Sequence, residues 1–245
     1  MTPRITMAVA ARVLTQLRRD PRTVALLLVV PCVLISLLWW MFKDSMGDPF
    51  NHIGPALIAM FPFTVMFLVT SVTTLRERSS GTLERLLAMP MGKLDFLLGY
   101  AVAFGVVAAI QSLLAVTVSV GLLGLDIQGP VWLLCVVAIA DAVLGSALGL
   151  FVSAFAQTEF QAVQFLPALV FPQILLCGLF VARDTLPSVL HAVSDVLPLS
   201  YAVDAMNHLT RSSDTGTVWL DVLVVAAFAV GSLALGAATL RRRTP

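Results

Sequence analysis

Few side chains in this sequence are placed to do chemistry. Asp141 stands inside a long apolar run, Val131–Phe155, and no second membrane-embedded acid or arginine accompanies it in the pattern. A carboxylate in hydrocarbon costs about 2.5–3.5 kcal/mol on insertion scales, so it must face protein or water. Two roles are open to it, a proton relay and a structural hydrogen bond, with Gln111 on the preceding run as the candidate partner. His52, His191 and His208 share no metal-ligand spacing, so no metal site is expected. Cys32, Cys135 and Cys177 each fall within an apolar run and read as small buried hydrophobes rather than a disulfide framework. No Ser/His/Asp or Cys/His arrangement is visible. The Gly-Lys pair Gly92-Lys93 is followed by Leu94, and no G-x-x-x-x-G-K-[ST] phosphate-cradling loop occurs. The chain is therefore expected to bind no cofactor of its own and to hydrolyse nothing itself.

What remains is surface chemistry. In the second apolar run Phe61, Phe63, Met66 and Phe67 offer aromatic and soft side chains, suited to a lipophilic cargo. Gln157, Gln161 and Gln164 fall on one helical face, and Pro167 and Pro172 after them can kink the helix. Gly145 and Gly149 form G-x-x-x-G, which permits close helix approach either within the chain or at a dimer seam.

The densest charge lies in Arg76–Asp95, an island between two apolar runs. Gly81 permits a sharp turn, Thr82 can cap a helix, and Glu84 in its first turn suits the positive helix end. Leu83, Leu86 and Leu87 make one apolar stripe, Arg85 projects elsewhere, and Pro90 and Gly92 end the helix. A loop reverses direction in a few residues. A stretch of this length with its own helix is expected to touch a partner.

The elements that position these groups follow from composition. The chain of 245 residues is 59% hydrophobic and only 12% charged, against about 25% charge in soluble domains. Six runs are long enough to cross a bilayer as helices, near 24–42, 53–75, 96–123, 131–155, 161–181 and 218–240. With the N-terminus in the cytoplasm, twelve basic residues fall inside and only Lys43, Arg183 and Arg211 outside. Both termini are thus expected in the cytoplasm, and no cleaved leader is expected. Ile5, Val9, Val13 and Leu17 recur at i+4 in a basic segment, which reads as an interfacial helix over 1–20 with arginines available to lipid phosphates. Asp20 can cap the next helix and Pro21 suits its first position. Over 182–217 two apolar stripes flank Pro198, which predicts a pair of short outer helices dipping into the membrane as a re-entrant hairpin.

Here the sequence resembles a known family. Arg76-Glu77-Arg78 followed by Gly81-Thr82-Leu83-Glu84-Arg85-Leu86-Leu87 and Pro90 is similar to the hallmark segment of type-2 ABC exporter permeases, the daunorubicin-resistance and nodulation-factor export kind. Leu186-Pro187, Pro198-Leu199-Ser200-Tyr201-Ala202 and Asp204-Ala205 are similar to that family's outer helix pair. The resemblance implies an all-α polytopic fold with six transmembrane helices in a bacterial plasma membrane. It also implies a second permease copy, or a sister permease, and two cytoplasmic P-loop ATPase subunits that bind ATP and Mg. The hallmark segment would be the coupling helix, with Arg78, Gly81, Thr82, Glu84, Arg85 and Leu86 at the ATPase contact. The second and fifth spans would line the pathway, through Phe61, Phe63, Met66, Phe67, Gln161 and Gln164. One departure is the turn Ala156–Phe160, which carries Glu159 and no basic residue. The expected function is ATP-driven export of a hydrophobic or amphipathic cargo, with membrane lipids as surroundings and no nucleic acid involved. Two alternatives stand beside it: a membrane scaffold that transports nothing, and an ion-coupled carrier using Asp141.

Overall fold

The computed structural model describes residues 3–46, 49–80 and 93–239. All of its regular structure is helical, and six helices are long and apolar enough to cross a membrane. The helices are α1 (Pro3–Arg18), α2 (Pro21–Phe42), α3 (Pro49–Ser79), α4 (Lys93–Val116), α5 (Val131–Ser153), α6 (Glu159–Phe165), α7 (Phe171–Leu176), α8 (Ser188–Ser194), α9 (Pro198–Arg211) and α10 (Gly216–Thr239). Two π-helical segments interrupt the ladder. Thr117–Leu122 extends α4, and Leu166–Val170 joins α6 to α7.

Local chemistry sets most boundaries. Asp20 caps α2, accepting from the Thr23 amide at 3.2 Å and the Thr23 hydroxyl at 2.6 Å, with Pro21 at the first helical position. These bonds hold the Asp20 carboxyl below its ordinary range, the Thr23 hydroxyl contributing most. Thr158 caps α6 through the Gln161 amide at 3.2 Å. Pro167 lacks the amide that an α-turn needs, and the π segment carries it. The fifth span therefore ends at Leu176 rather than near residue 181, because Gly178 turns the chain at φ +93°.

The centre of the bundle is α3 against α5, and their contact explains G-x-x-x-G. A Cβ on Gly145 would meet the Phe63 carbonyl oxygen at 2.3 Å, and one on Gly149 would meet the Phe67 carbonyl oxygen at 2.5 Å. The two backbones run side by side in the same direction, and the glycine pair is used within the chain. Phe63, Phe67, Leu133, Leu134, Val137 and Leu144 fill the core around this seam. A second cluster joins α1 to α4 through Val9, Val13, Phe96, Tyr100 and Phe104. Gly99 lets α1 approach, since a Cβ there would lie 2.6 Å from Val9. The i+4 stripe of α1 thus packs on α4 instead of facing lipid. The stripe of α9 also packs inward: Leu199, Val203, Met206 and Leu209 are fully buried in the bundle core. Pro198 opens α9 as its first residue, and the apolar stripe before it stays exposed at Val189 and Val193 on α8 and at Val196 just after it. The inner end below is the one that the arginine distribution assigns to the cytoplasm.

Candidate coupling and pathway site

The C-terminal end of α3 is where the described residues concentrate inter-helix charge. Arg76, Glu77 and Arg78 are consecutive, so they point around the helix at 100° intervals and reach different neighbours. Arg76 forks onto Glu159 at the start of α6, with Nε–Oε1 2.7 Å and Nη2–Oε2 2.9 Å. Glu77 accepts from Arg12 on α1 at 2.8 and 3.0 Å, and from Gln16 at 3.3 Å. Arg78 donates to the backbone carbonyl of Ser153, the last residue of α5. Thr6 on α1 adds a buried bond to Asp95 on α4, at 3.3 Å. One end of α3 is therefore tied to α1, α5 and α6 by the first three residues of the hallmark segment.

These ties differ in strength. The Arg12 and Glu77 side chains are 28% and 11% exposed, whereas Arg76 and Glu159 are 65% and 51% exposed. Solvent screens the second pair far more than the first. Glu159, the acid in the turn that departs from the family's pattern, has a partner within the chain.

Of the predicted coupling residues, Arg78 lies at this junction and donates to Ser153 within the chain. Gly81, Thr82, Glu84, Arg85 and Leu86 lie outside the described residues. Of the predicted pathway residues, Phe63, Met66 and Phe67 are fully buried inside the chain, Phe63 and Phe67 against α5. Phe61 is half-buried, and Gln161 and Gln164 are exposed on α6. Gln161 uses its side-chain oxygen locally, accepting from the Gln157 amide at 2.8 Å.

Asp141 is fully buried on α5. Neither of its oxygens, nor either polar atom of Gln111, has a hydrogen-bond partner among the described residues, so the anticipated pair is not formed. The bond that does link α4 to α5 here runs from the Ser112 hydroxyl to the Ala138 carbonyl, 3.0 Å. The sequence pattern also passed over Asp221, which stands near the start of α10 and within electrostatic reach of Asp204 and Arg183. No group of three metal-ligating side chains occurs among the described residues.

The profile of the ABC-2 type transporter family matches residues 5–210. The chain belongs to the ABC-2 type transporter family. The matched stretch covers α1 through α9, including the α3 junction and the outer helix pair. Among curated relatives, the probable multidrug ABC transporter permease YbhS of Escherichia coli (strain K12) is 26% identical over 215 residues, which cover 87% of this chain and 56% of the relative. The probable multidrug ABC transporter permease YbhR of the same organism is 27% identical over 185 residues, covering 74% and 50%. ABC transporter G family member 20 of Dictyostelium discoideum is 22% identical over 183 residues, covering 74% and 25%. The chain spans about half the length of the two bacterial relatives. As an ABC-2 type transporter family chain with six helices long and apolar enough to cross a membrane, it is an integral membrane protein.

Proposed function

We propose that this permease is the membrane half of an ATP-driven exporter in a bacterial plasma membrane, with both termini cytoplasmic. Two permease chains, identical or sister, would enclose the pathway. Each would seat its coupling segment, within 76–95, on a cytoplasmic P-loop ATPase that binds ATP and Mg. Closure of the ATPase pair would push that segment and open the pathway outward. The cargo is a hydrophobic or amphipathic molecule: a drug, a lipid or a lipid-linked glycan. The printed names of the bacterial relatives, multidrug ABC transporter permeases, support that class.

The observation that carries the proposal is the α3 junction. A force applied just beyond Ser80 enters three helices at once, through Glu77 to α1, Arg78 to α5 and Arg76 to α6. A scaffold that only holds a partner has no use for such distribution. The test is co-purification of the ATPase with permease variants Glu84→Lys and Gly81→Trp. Both are expected to insert normally and to lose the ATPase. Retention of the ATPase by both variants overturns the assignment of the 76–95 coupling segment as its seat.

A further inference from the structure

The opposite end of the fifth span meets a single residue, Arg183, that gathers several partners. It follows Gly178 in the loop after α7, within a short 3₁₀ turn. Its Nε donates to the Ser194 hydroxyl at 2.7 Å and its Nη2 to Asp195 Oδ1 at 2.6 Å. Its Nη1 donates to Asp204 Oδ2, and its guanidinium lies 5.6 Å from the Tyr201 ring centroid. The side chain is only 13% exposed. A planar fork that bonds three groups while stacking on a ring is a use of arginine that lysine does not reproduce.

The partners form a joint between α7, α8 and α9. The Ser194 hydroxyl also lies 2.9 Å from the Leu176 carbonyl at the end of α7, and 3.2 Å from the Ser200 hydroxyl on α9. The Tyr201 hydroxyl donates to the Asp195 carbonyl at 2.7 Å. The Gln173 side chain accepts from the Leu199 amide at 3.3 Å. His191 stands 3.2 Å from Asp195, and Asp221 on α10 adds a further negative neighbour. Burial raises the Asp204 carboxyl above its ordinary range, and the Arg183 guanidinium draws it back. The anchor for all this is α9, whose apolar face is buried in the core.

The fifth span exposes one apolar face. Phe171 and Leu175 are 50% and 58% exposed. Its ladder is broken at Leu166–Val170, with Pro167 inside that break and Pro172 two residues after it. Its inner end carries Glu159, the partner of Arg76.

We propose that Arg183 is a positioning residue for cargo exit: it fastens the outer end of the fifth span to α8–α9, so that displacement delivered at Glu159 becomes a bend at Leu166–Val170. This rests on the export proposal above. The span is then a jointed arm, driven at one end, fixed at the other and hinged where its hydrogen bonding is already irregular.

The test uses the full complex of permease and ATPase in lipid nanodiscs and vesicles, with Cys32, Cys135 and Cys177 replaced by alanine. Spin labels go on Val181→Cys and Val193→Cys, both exposed. The label–label distance distribution is expected to be narrow with Arg183, to broaden with Arg183→Gln, and to be intermediate with Arg183→Lys. In vesicles, ethidium or a fluorophore-labelled lipid moved per ATP hydrolysed is expected to fall by about tenfold in Arg183→Gln, the scale of losing a set of charge-assisted hydrogen bonds, at unchanged ATPase rate. An unchanged distance distribution overturns the fastening. A broadened distribution with unchanged transport per ATP overturns the role in exit. If the unaltered complex moves neither probe, the export proposal fails, and the distance measurement alone decides the fastening.

Discussion

Substitution of Gly145 by alanine probes the α3–α5 seam with the smallest available perturbation. The added Cβ would lie 2.3 Å from the Phe63 carbonyl oxygen, and also about 3 Å from the Phe63 carbonyl carbon and Cα. All three atoms are backbone, so no rotamer change relieves the contact. Ordinary van der Waals contact begins near 3.4 Å, so the two helices must part locally by about 1 Å in a close-packed core. Overpacking of this kind costs about 1–3 kcal/mol. For a chain of this size each kcal/mol lowers the melting temperature by about 2–4 °C. A fall of about 5 °C is therefore expected in a thermal melt of the detergent-solubilised protein. Gly231→Ala is the control, since its Cβ meets nothing within 4 Å. It should leave the melt unchanged or raise it slightly, because alanine favours the helix over glycine. The melt also separates the two uses of G-x-x-x-G. An internal seam loses stability in the single chain, whereas a dimer seam loses self-association and keeps the chain's own melt. Equal melts for Gly145→Ala and Gly231→Ala, with loss of the dimer in Gly145→Ala alone, would refute the internal seam.

Glu77→Gln leaves Arg12 with only 28% exposure and no full counter-charge. A loss of about 1–3 kcal/mol is expected, read as lower thermal stability and faster proteolysis within α1. Asp141→Leu removes a carboxylate that makes no hydrogen bond among the described residues, so stability is expected to hold or rise. Asp141→Asn is then expected to leave ATP-dependent transport intact in vesicles, and its abolition would favour the ion-coupled alternative. Asp20→Ala removes the α2 cap, and the effect depends on pH with a definite sign. The carboxyl is held below its ordinary range, so its contribution is present above the unfolded value and lost as pH falls through the lower folded value. Thermal melts of wild type and Asp20→Ala should differ at neutral pH and converge in strong acid.

The spans were legible because each is a long apolar run with charge at its ends, and hydrocarbon admits only helices of that length. The Asp20 cap and the α3 charge trio were legible because they depend on neighbours in sequence. The partners of that trio were not. Arg12, Ser153 and Glu159 are brought to it by packing across α1, α5 and α6, and no local pattern encodes that meeting. The stripes of α1 and α9 illustrate the same limit. Their period fixes which face is apolar, but the same face suits lipid or protein equally. Gly99 tips the balance inward for α1 and Gly129 for α9, where an added Cβ would lie 2.6 Å from Val9 and 2.9 Å from Leu209. Asp141 was visible as an anomaly, yet its environment depends on how α3, α4 and α5 close around it.

The two inner ion pairs can serve different ends because their energies differ. The Arg12–Glu77 pair is largely shielded, and breaking such a pair costs several times more than breaking an exposed one. It makes α1 and α3 one piece through any cycle. The Arg76–Glu159 pair is open to solvent, where ion pairs are worth about 0–1 kcal/mol. It does not act alone, because Ala162 and Phe165 of α6 share a buried apolar cluster with Val72 and Leu75 of α3, so displacement of α3 also reaches α6. The α3–α5 seam, locked by backbone contacts at Gly145 and Gly149, cannot slide at comparable cost. Movement of α3 must therefore carry α1 and α5 with it and shift the inner end of the fifth span, while Arg183 holds the outer end to α8–α9.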